Sequence, residues 1–301
     1  MNIYTNVEKL NITSPTSVAL GTFDGVHKGH QRVINATLNS GFCPVVFSVN
    51  RPYSEQNLRL TTDETRENIL ENMGVNTFAL ISFREIYNLS PLEFVRDILV
   101  KKLNAKHISC GFNFRFGKGA EGNVDTLFEI CEDFGIELTV CEPVIYENLP
   151  VSSSRIRSAI EEGNMEDATE MLGHPFTYDF VVEGGDRLGR KLGSPTINQY
   201  FPKDFVVPKI GVYAAVVDVN DKKYPAVCNI GIRPTVSDGT APRSETFILD
   251  YTGDLYGKKV PVSPIKYLRP EIKFDGLKAL KSAISNDAEA SKQIILERNV
   301  L

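Results

Sequence analysis

Up to about residue 172 this chain alternates short β-like runs with helical patterns, and after Leu172-Gly173-His174-Pro175 the alternation stops. That switch constrains the fold more than any other feature. The early runs are Val18 to Gly21, Cys43 to Val49, Thr77 to Ser82, Lys106 to Gly111 and Glu137 to Cys141. Between them fall helical patterns at Lys28 to Leu38, Asp63 to Met73, Pro91 to Leu103 and Asn123 to Phe134. Strands separated by helices need crossover connections, so the first half predicts a parallel sheet with helices on both faces. Thr62-Asp63-Glu64-Thr65 and Ser90-Pro91-Leu92-Glu93 read as helix starts, each with a polar cap and early carboxylates. Past residue 173, β-branched residues, Gly and Pro dominate. Gly211 to Val219 reads as a strand, Asn220-Asp221 as a turn and Lys223 to Ile230 as the partner strand. Glu245 to Asp250 and Val260 to Leu268 continue the pattern, and helical stretches at Gly276 to Ile284 and Asp287 to Arg298 follow. The expected fold class is α/β plus β: a parallel-sheet domain over 1–172 and an antiparallel β-barrel with terminal helices over 173–301.

Composition narrows the function. The 301 residues suffice for two ordinary domains, and 42% hydrophobic residues suffice for packed cores. A formal net charge of −5 argues against a general binder of nucleic acid or membrane surfaces. An anionic ligand must therefore be met by local donors. The five cysteines are scattered with no Cys-x-x-Cys, as expected of buried free thiols in a reducing compartment. The first ten residues are too polar for a signal peptide, and no apolar run approaches membrane-spanning length. The reading is a soluble, cytoplasmic protein. No P-loop string is present, so ATP would be held in another way.

The most informative string is Gly21-Thr22-Phe23-Asp24-Gly25-Val26-His27-Lys28-Gly29-His30. It follows the first predicted strand and enters the first predicted helix. Free N–H groups and a positive dipole end suit a helix N-terminus to phosphate. His27 and His30 would donate to phosphate oxygens, and Gly29 would let backbone and ligand approach closely. Read alone, the pair is equally a surface feature of a turn; zinc is weaker, since no further ligand lies near at suitable spacing. Asp24 is an acidic candidate for holding Mg²⁺ near the phosphates. Gly111-Phe112-Asn113-Phe114-Arg115-Phe116-Gly117 follows the fourth predicted strand of the first half. There Phe114 and Phe116 would flank a flat ring, while Asn113 and Arg115 supply polar contacts; read by pattern alone, the stretch is equally a strand end with a buried aromatic face. Val151-Ser152-Ser153-Ser154-Arg155-Ile156-Arg157 opens a helix with two cations in its first turn. Cations oppose the dipole there, which makes sense if a polyphosphate sits over the helix end.

In the second half, Gly184-Gly185-Asp186-Arg187-Leu188-Gly189-Arg190-Lys191-Leu192-Gly193-Ser194-Pro195 is a glycine- and cation-rich loop suited to cradling phosphate. Thr196 and Asn198 follow at i and i+2, on one face of an extended segment, and offer hard oxygen ligands for Mg²⁺. Glu245 lies in a predicted strand, where a carboxylate must meet water, a partner or a substrate.

These strings resemble the bifunctional riboflavin kinase/FAD synthetase family along nearly the whole chain. The family's adenylyltransferase module carries Gly-Thr-Phe-Asp-Gly-Val-His-x-Gly-His, a Gly-x-Asn/Asp-Phe-x-Phe-Gly loop and Ser-Ser-x-x-Ile-Arg. The first is matched from Gly21 to His30, the second from Gly111 to Gly117, and the third by Ser153, Ser154, Ile156 and Arg157. Its kinase signature, Gly-x-x-x-Gly-Arg-x-Leu-Gly-x-Pro-Thr-Ala-Asn, is matched from Gly185 to Asn198, with Ile197 in place of Ala. Two departures from many members stand out: that Ile197, and Phe47-Ser48-Val49-Asn50-Arg51-Pro52 where they have Phe-x-Pro-His-Pro. The resemblance implies a Rossmann-like nucleotidyltransferase domain that makes FAD and pyrophosphate from FMN and ATP, and a riboflavin kinase barrel that makes FMN. His27 and His30 would serve the first reaction and Glu245 would be the general base of the second. The implied nucleotide- and flavin-binding residues of the first site are Gly21, Phe23, Asp24, Gly29, Asn113, Arg115, Phe116, Ser153, Ser154, Arg155 and Arg157. For the second they are Gly185, Gly189, Arg190, Gly193, Asn229, Arg233 and Arg269. Asn229 and Arg233 belong to Asn229-Ile230-Gly231-Ile232-Arg233-Pro234-Thr235, and Arg269 to a flap expected to close on flavin. Two other readings keep only one of the activities, or make the chain a non-catalytic flavin-binding regulator.

Overall fold

The structure is a computed structural model and describes residues 1–50, 52, 58–184, 195–235 and 239–298, with 233–235 and 239–240 by backbone alone. Its residues group into two compact units. One comprises Met1–Ser54 and Arg66–Ser152, the other Glu55–Thr65 and Ser153–Leu301.

In chain order the first half forms β1 (Asn2–Tyr4), β2 (Thr16–Gly21), α1 (Lys28–Leu38), β3 (Cys43–Asn50), α2 (Asp63–Asn72) and β4 (Thr77–Ser82). There follow α3 (Phe83–Ile86), α4 (Pro91–Glu93), β5 (Ala105–Gly111), α5 (Val124–Phe134), β6 (Glu137–Cys141) and a small hairpin of β7 (Ile145–Tyr146) and β8 (Leu149–Pro150). The large sheet runs β1-β4-β3-β2-β5-β6, and every pairing in it is parallel. Both faces are covered. Val18, Leu20, Val45, Phe47, Ala79 and Ile81 point into one core, and Ala19, Val46, Phe78 and Leu80 into the other. That double burial is why the strands read as continuous apolar runs. Strand order reverses at β2, which has β3 on one side and β5 on the other. Ligands of open α/β sheets bind at the C-terminal ends of the strands beside such a reversal.

The helix expected from Pro91 to Leu103 starts as predicted and then changes pitch. Ser90 and Glu93 form a reciprocal capping box. Phe94–Val100 is then wound as a π-helix, with Lys101 N–H bonding the Arg96 carbonyl. The wider turn sends Phe94, Val95, Ile98 and Leu99 all into the core.

The second half forms α6 (Ser153–Glu162), α7 (Met165–Leu172), β9 (Thr196–Tyr200), β10 (Gly211–Val219), β11 (Lys222–Thr235), β12 (Gly239–Ile248), β13 (Val262–Arg269) and α8 (Leu277–Arg298). Five strands make an antiparallel sheet, β13-β10-β11-β12-β9. Residues 178–183 join its two edges, pairing Tyr178 with Val262 and Glu183 with Asn198, which closes the sheet into a barrel. Asn220 and Asp221 both have positive φ, 54° and 61°, the geometry of a two-residue hairpin turn. Tyr178 lies fully buried, its hydroxyl 3.3 Å from Cys228 Sγ, and burial raises its pKa well above the usual range. The strand predicted at Glu245 to Asp250 starts earlier, at Gly239, because it pairs along β11. The two predicted C-terminal helices are one continuous helix. Ser285-Asn286-Asp287 contains neither Gly nor Pro, and tertiary contacts hold the stretch: Asp287 pairs with Arg269, and Ser291 Oγ donates to the Ala226 carbonyl at 2.7 Å.

Candidate functional site

Residues 21–30 turn the chain from β2 into α1 at the sheet's reversal point. The turn is strained: Phe23 has φ 50° and the β-branched Val26 has φ 38°. His27 is the N-cap of α1, and its Nδ1 accepts the His30 backbone N–H at 3.2 Å. An accepting Nδ1 carries no proton, so neutral His27 bears its proton on Nε2, ready to donate. The two imidazoles stack with centroids 3.6 Å apart at 14°. Phe23 meets His30 edge-on at 5.3 Å. Burial, then His27, then Arg66 hold the His30 pKa well below its usual value, so this imidazole is neutral at pH 7. His30 Nδ1 is buried and has no hydrogen-bond partner among the described residues. A polar atom in that condition calls for an explanation, and a bound ligand supplies one. Asp24, in the same turn, is buried at 4% exposure.

The barrel builds a second cluster by register. Asn198 on β9 lies directly opposite Glu245 on β12, and Glu245 lies opposite Asn229 on β11. Directly paired residues share a sheet face, so three polar side chains form a row across three strands. Asn229 in turn pairs with Val212, which shares its face with Val216, a residue packed against Ile295 of α8. The row therefore lies on the face that carries the terminal helix. Thr196 and Tyr200 flank Asn198 on that face, and Arg243 flanks Glu245. Glu271 accepts from Asn229 Nδ2 at 2.8 Å and lies over Gly231, where an added Cβ would come within 2.6 Å of its carboxylate.

The FAD synthetase family model matches residues 9–155, and the riboflavin kinase model matches residues 172–295. A bifunctional riboflavin kinase/FMN adenylyltransferase of Listeria monocytogenes is 33% identical over 287 residues, covering 91% of each chain. The protein of the same name from Escherichia coli K12 is 33% identical over 288 residues, covering 92% of this chain and 91% of its own. The chain belongs to the bifunctional riboflavin kinase/FMN adenylyltransferase family. A solved Streptococcus pneumoniae structure titled a macrolide-efflux protein superposes with TM-score 0.86 at 31% identity, over 96% of this chain and 98% of that one. Among the described residues no helix is long and apolar enough to cross a membrane.

Within this family frame the remaining predicted residues sort as follows. Asn113 and Arg115 are exposed on the loop after β5, on the other side of the reversal point. Phe114 and Phe116 do not flank an open slot. They stack on each other with centroids 5.6 Å apart at 12°, and Phe116 is buried against Phe94. A flat ring does not fit between rings that already touch, so Phe116 supports the loop; Phe112 is the exposed aromatic, at 47%. Ser153, Ser154, Arg155 and Arg157 lie on the first turn of α6, which groups with the second unit. Arg157 is buried and its Nε donates to the Leu58 carbonyl at 2.5 Å. Arg269 is committed to Asp287 through a two-point ion pair of 3.1 and 2.7 Å and lies 5.6 Å from the Phe274 ring. Gly185, Gly189, Arg190 and Gly193 lie outside the described residues, as does the side chain of Arg233. Ser48, in the segment that departs from the family pattern, donates to the Thr22 carbonyl at 2.7 Å and braces the histidine loop.

Sequence reasoning missed Arg66. It is 2% exposed, donates to the Thr22 carbonyl at 3.3 Å and acts electrostatically on His30. Its signal was only an arginine in the first turns of a helix, and burial is what sets it apart.

Gly29 yields a sharp test. A Cβ there would meet the His27 ring at 3.1 and 3.2 Å. Gly29→Ala should raise helix stability by up to about 1 kcal/mol while displacing the imidazole. The expected result is an unchanged or higher Tm with adenylylation slowed roughly 3- to 10-fold, a cost typical of sub-ångström misplacement. Unchanged FAD formation would mean that the His27 ring position is not critical.

Proposed function

We propose that this chain makes FMN from riboflavin and ATP in its barrel, and FAD and pyrophosphate from FMN and ATP at the β2–α1 turn. The observation that carries the proposal is the coexistence of a complete kinase cluster, Thr196, Asn198 and Glu245, with a complete histidine pair, His27 and His30. Their joint presence counts against a single-activity enzyme or a non-catalytic flavin binder.

In adenylylation, an FMN phosphate oxygen attacks the α-phosphorus of ATP. The bond from that phosphorus to the bridging oxygen breaks, and pyrophosphate leaves with the electron pair. No covalent enzyme intermediate is needed. His27 Nε2–H and the His30 ring donate to phosphate oxygens as negative charge builds, and the first N–H groups of α1 face the same place. Asn113 and Arg115 contact the nucleotide from the β5 loop, and Gly21, Phe23, Asp24 and Gly29 shape the pocket wall. Ser153, Ser154, Arg155 and Arg157 serve as further phosphate ligands.

In the kinase step, the riboflavin 5′-hydroxyl oxygen attacks the γ-phosphorus of ATP and its proton passes to a Glu245 carboxylate oxygen. ADP leaves with the electrons of the broken bond. The Thr196 hydroxyl and Asn198 amide oxygen suit Mg²⁺, a hard cation that completes its shell with phosphate oxygens and water. Bound there, Mg²⁺ supplies charge neutralisation of the phosphates. Asn229 and Arg233 line the nucleotide side, with Gly185, Gly189, Arg190 and Gly193 as the phosphate cradle and Arg269 anchoring the flap through Asp287. A reducing, cytoplasmic setting fits five free cysteines, with burial pushing Cys110 up to about 12. Incubating the protein with riboflavin, ATP and Mg²⁺, and separating FMN and FAD by chromatography, tests the proposal. Absence of either product would remove that activity.

The catalytic modules are proposed as 1–172 and 173–301. A fragment of residues 153–301 is expected to form FMN and no FAD. Trimming it to 173–301 removes the buried Met165, Ala168, Met171 and Leu172. The shorter fragment should keep kinase activity but melt roughly 5 °C or more lower. A folded 153–301 fragment that forms no FMN would show that the kinase is not self-sufficient.

A further inference from the structure

We infer that Arg243 is a positioning residue of the kinase reaction, holding the Glu245 carboxylate on the reactive face until the riboflavin hydroxyl arrives. The inference rests on Glu245 being the base. Arg243 and Glu245 stand two apart on β12 and share a face. Arg243 is 7% exposed, and its Nη2 contacts Glu245 Oε1 directly. Its Nη1 lies 3.5 Å from the Tyr200 hydroxyl on the opposing strand, and its Nε has no hydrogen-bond partner among the described residues. No other carboxylate among the described residues is in ion-pair range of it.

A buried guanidinium is costly unless it is paired. Here the partner is the one carboxylate in the row with Asn198 and Asn229. A role confined to stability would be met equally by an apolar residue at this covered strand position. The pair does something an apolar residue could not. A strand glutamate has three side-chain torsions, and a general base must sit within hydrogen-bond reach of the proton it takes. The Arg243 contact fixes one carboxylate oxygen of Glu245 on the face that carries Asn198 and Asn229.

The test uses the full chain and measures kinase turnover from riboflavin, with adenylylation of supplied FMN and the melting midpoint as controls. Arg243→Met should lower kinase kcat by ~10- to 100-fold, within the range of general-base catalysis, with both KM values within about twofold. Arg243→Lys keeps the charge but not the planar fork, and should recover part of the rate. In a Glu245→Gln background, Arg243→Met should cost less than about threefold more, because the two act as a unit. Wild-type kcat in Arg243→Met, or a loss carried by KM alone, overturns the inference. So does a fully additive loss in the double variant, which would place Arg243 directly on the substrate. Glu245→Gln at wild-type rate is a separate outcome that overturns the base reading and this inference with it. If Arg243→Met does not fold, Arg243→Lys decides: a kcat drop of ~3-fold or more at unchanged KM supports the inference, and unchanged kcat overturns it.

Discussion

Replacing His27 and His30 together by alanine should lower conversion of FMN to FAD by about 10³-fold or more, since one transition-state donor alone is typically worth ~10²- to 10³-fold. FMN formation from riboflavin should stay within a factor of ~2 of wild type, given that the two reactions use separate residue sets. The size of the effect follows from geometry. His27 Nδ1 accepts the His30 backbone N–H at the cap, so the neutral ring presents Nε2–H, and it stacks on His30 at 3.6 Å. Each ring limits the motion of the other, and alanine at either position frees its neighbour. The single variants should therefore each cost nearly as much as the pair. The loss should fall on kcat, because the donors act on charge that develops in the reaction. Normal FAD synthesis in the double variant would rule out the phosphate-donor role. Loss of the cap predicts a further, smaller effect, a stability drop of about 1 kcal/mol in His27→Ala, readable as a lower Tm.

Glu245→Gln should cut kinase turnover by roughly 10²-fold or more while leaving adenylylation of supplied FMN intact. Glutamine keeps the size of the side chain and one acceptor oxygen, but it cannot take a proton. Flavin and nucleotide binding should change little, since Thr196, Asn198 and the loops that hold them are untouched. Kinase kcat near wild type would dismiss Glu245 as the base. An equal loss in both activities would point instead to misfolding.

Much of this was readable in the sequence where local chemistry decides the outcome. Lys28–Leu38 is helical over the predicted span because a cap, an apolar stripe and a following turn all agree. The capping box at Ser90 and the two-residue turn at Asn220-Asp221 are equally local. Other features depend on partners distant in sequence. The three-residue β1 has no pattern of its own and exists because it pairs with β4 at the sheet edge. The π-helical turn after Glu93 answers to what the core must swallow rather than to helix propensity. Alternating aromatics at Phe114 and Phe116 fitted a ring-binding loop and a buried strand end equally, because periodicity does not say whether two rings face a ligand or each other. The burial of Arg66 and Arg243 was illegible for the same reason: an arginine in a helix or strand reads as surface until the opposing element is known.

The interleaved composition of the two units bears on how the chain is made. Glu55–Thr65 belongs to the second unit, where Arg59 bonds the backbone of Asp204 and Phe205 bridges Arg59, and Glu64 meets Lys259 at 2.5 Å. During translation this segment leaves the ribosome long before its partners exist. The parallel sheet must then assemble around a stretch whose own pairing is deferred until the barrel strands have been synthesised. Nascent chains stalled short of β13 should accordingly show residues 58–65 open to protease while β2 to β6 are already protected, a vectorial order in which the sheet is folded before the barrel has all of its chain.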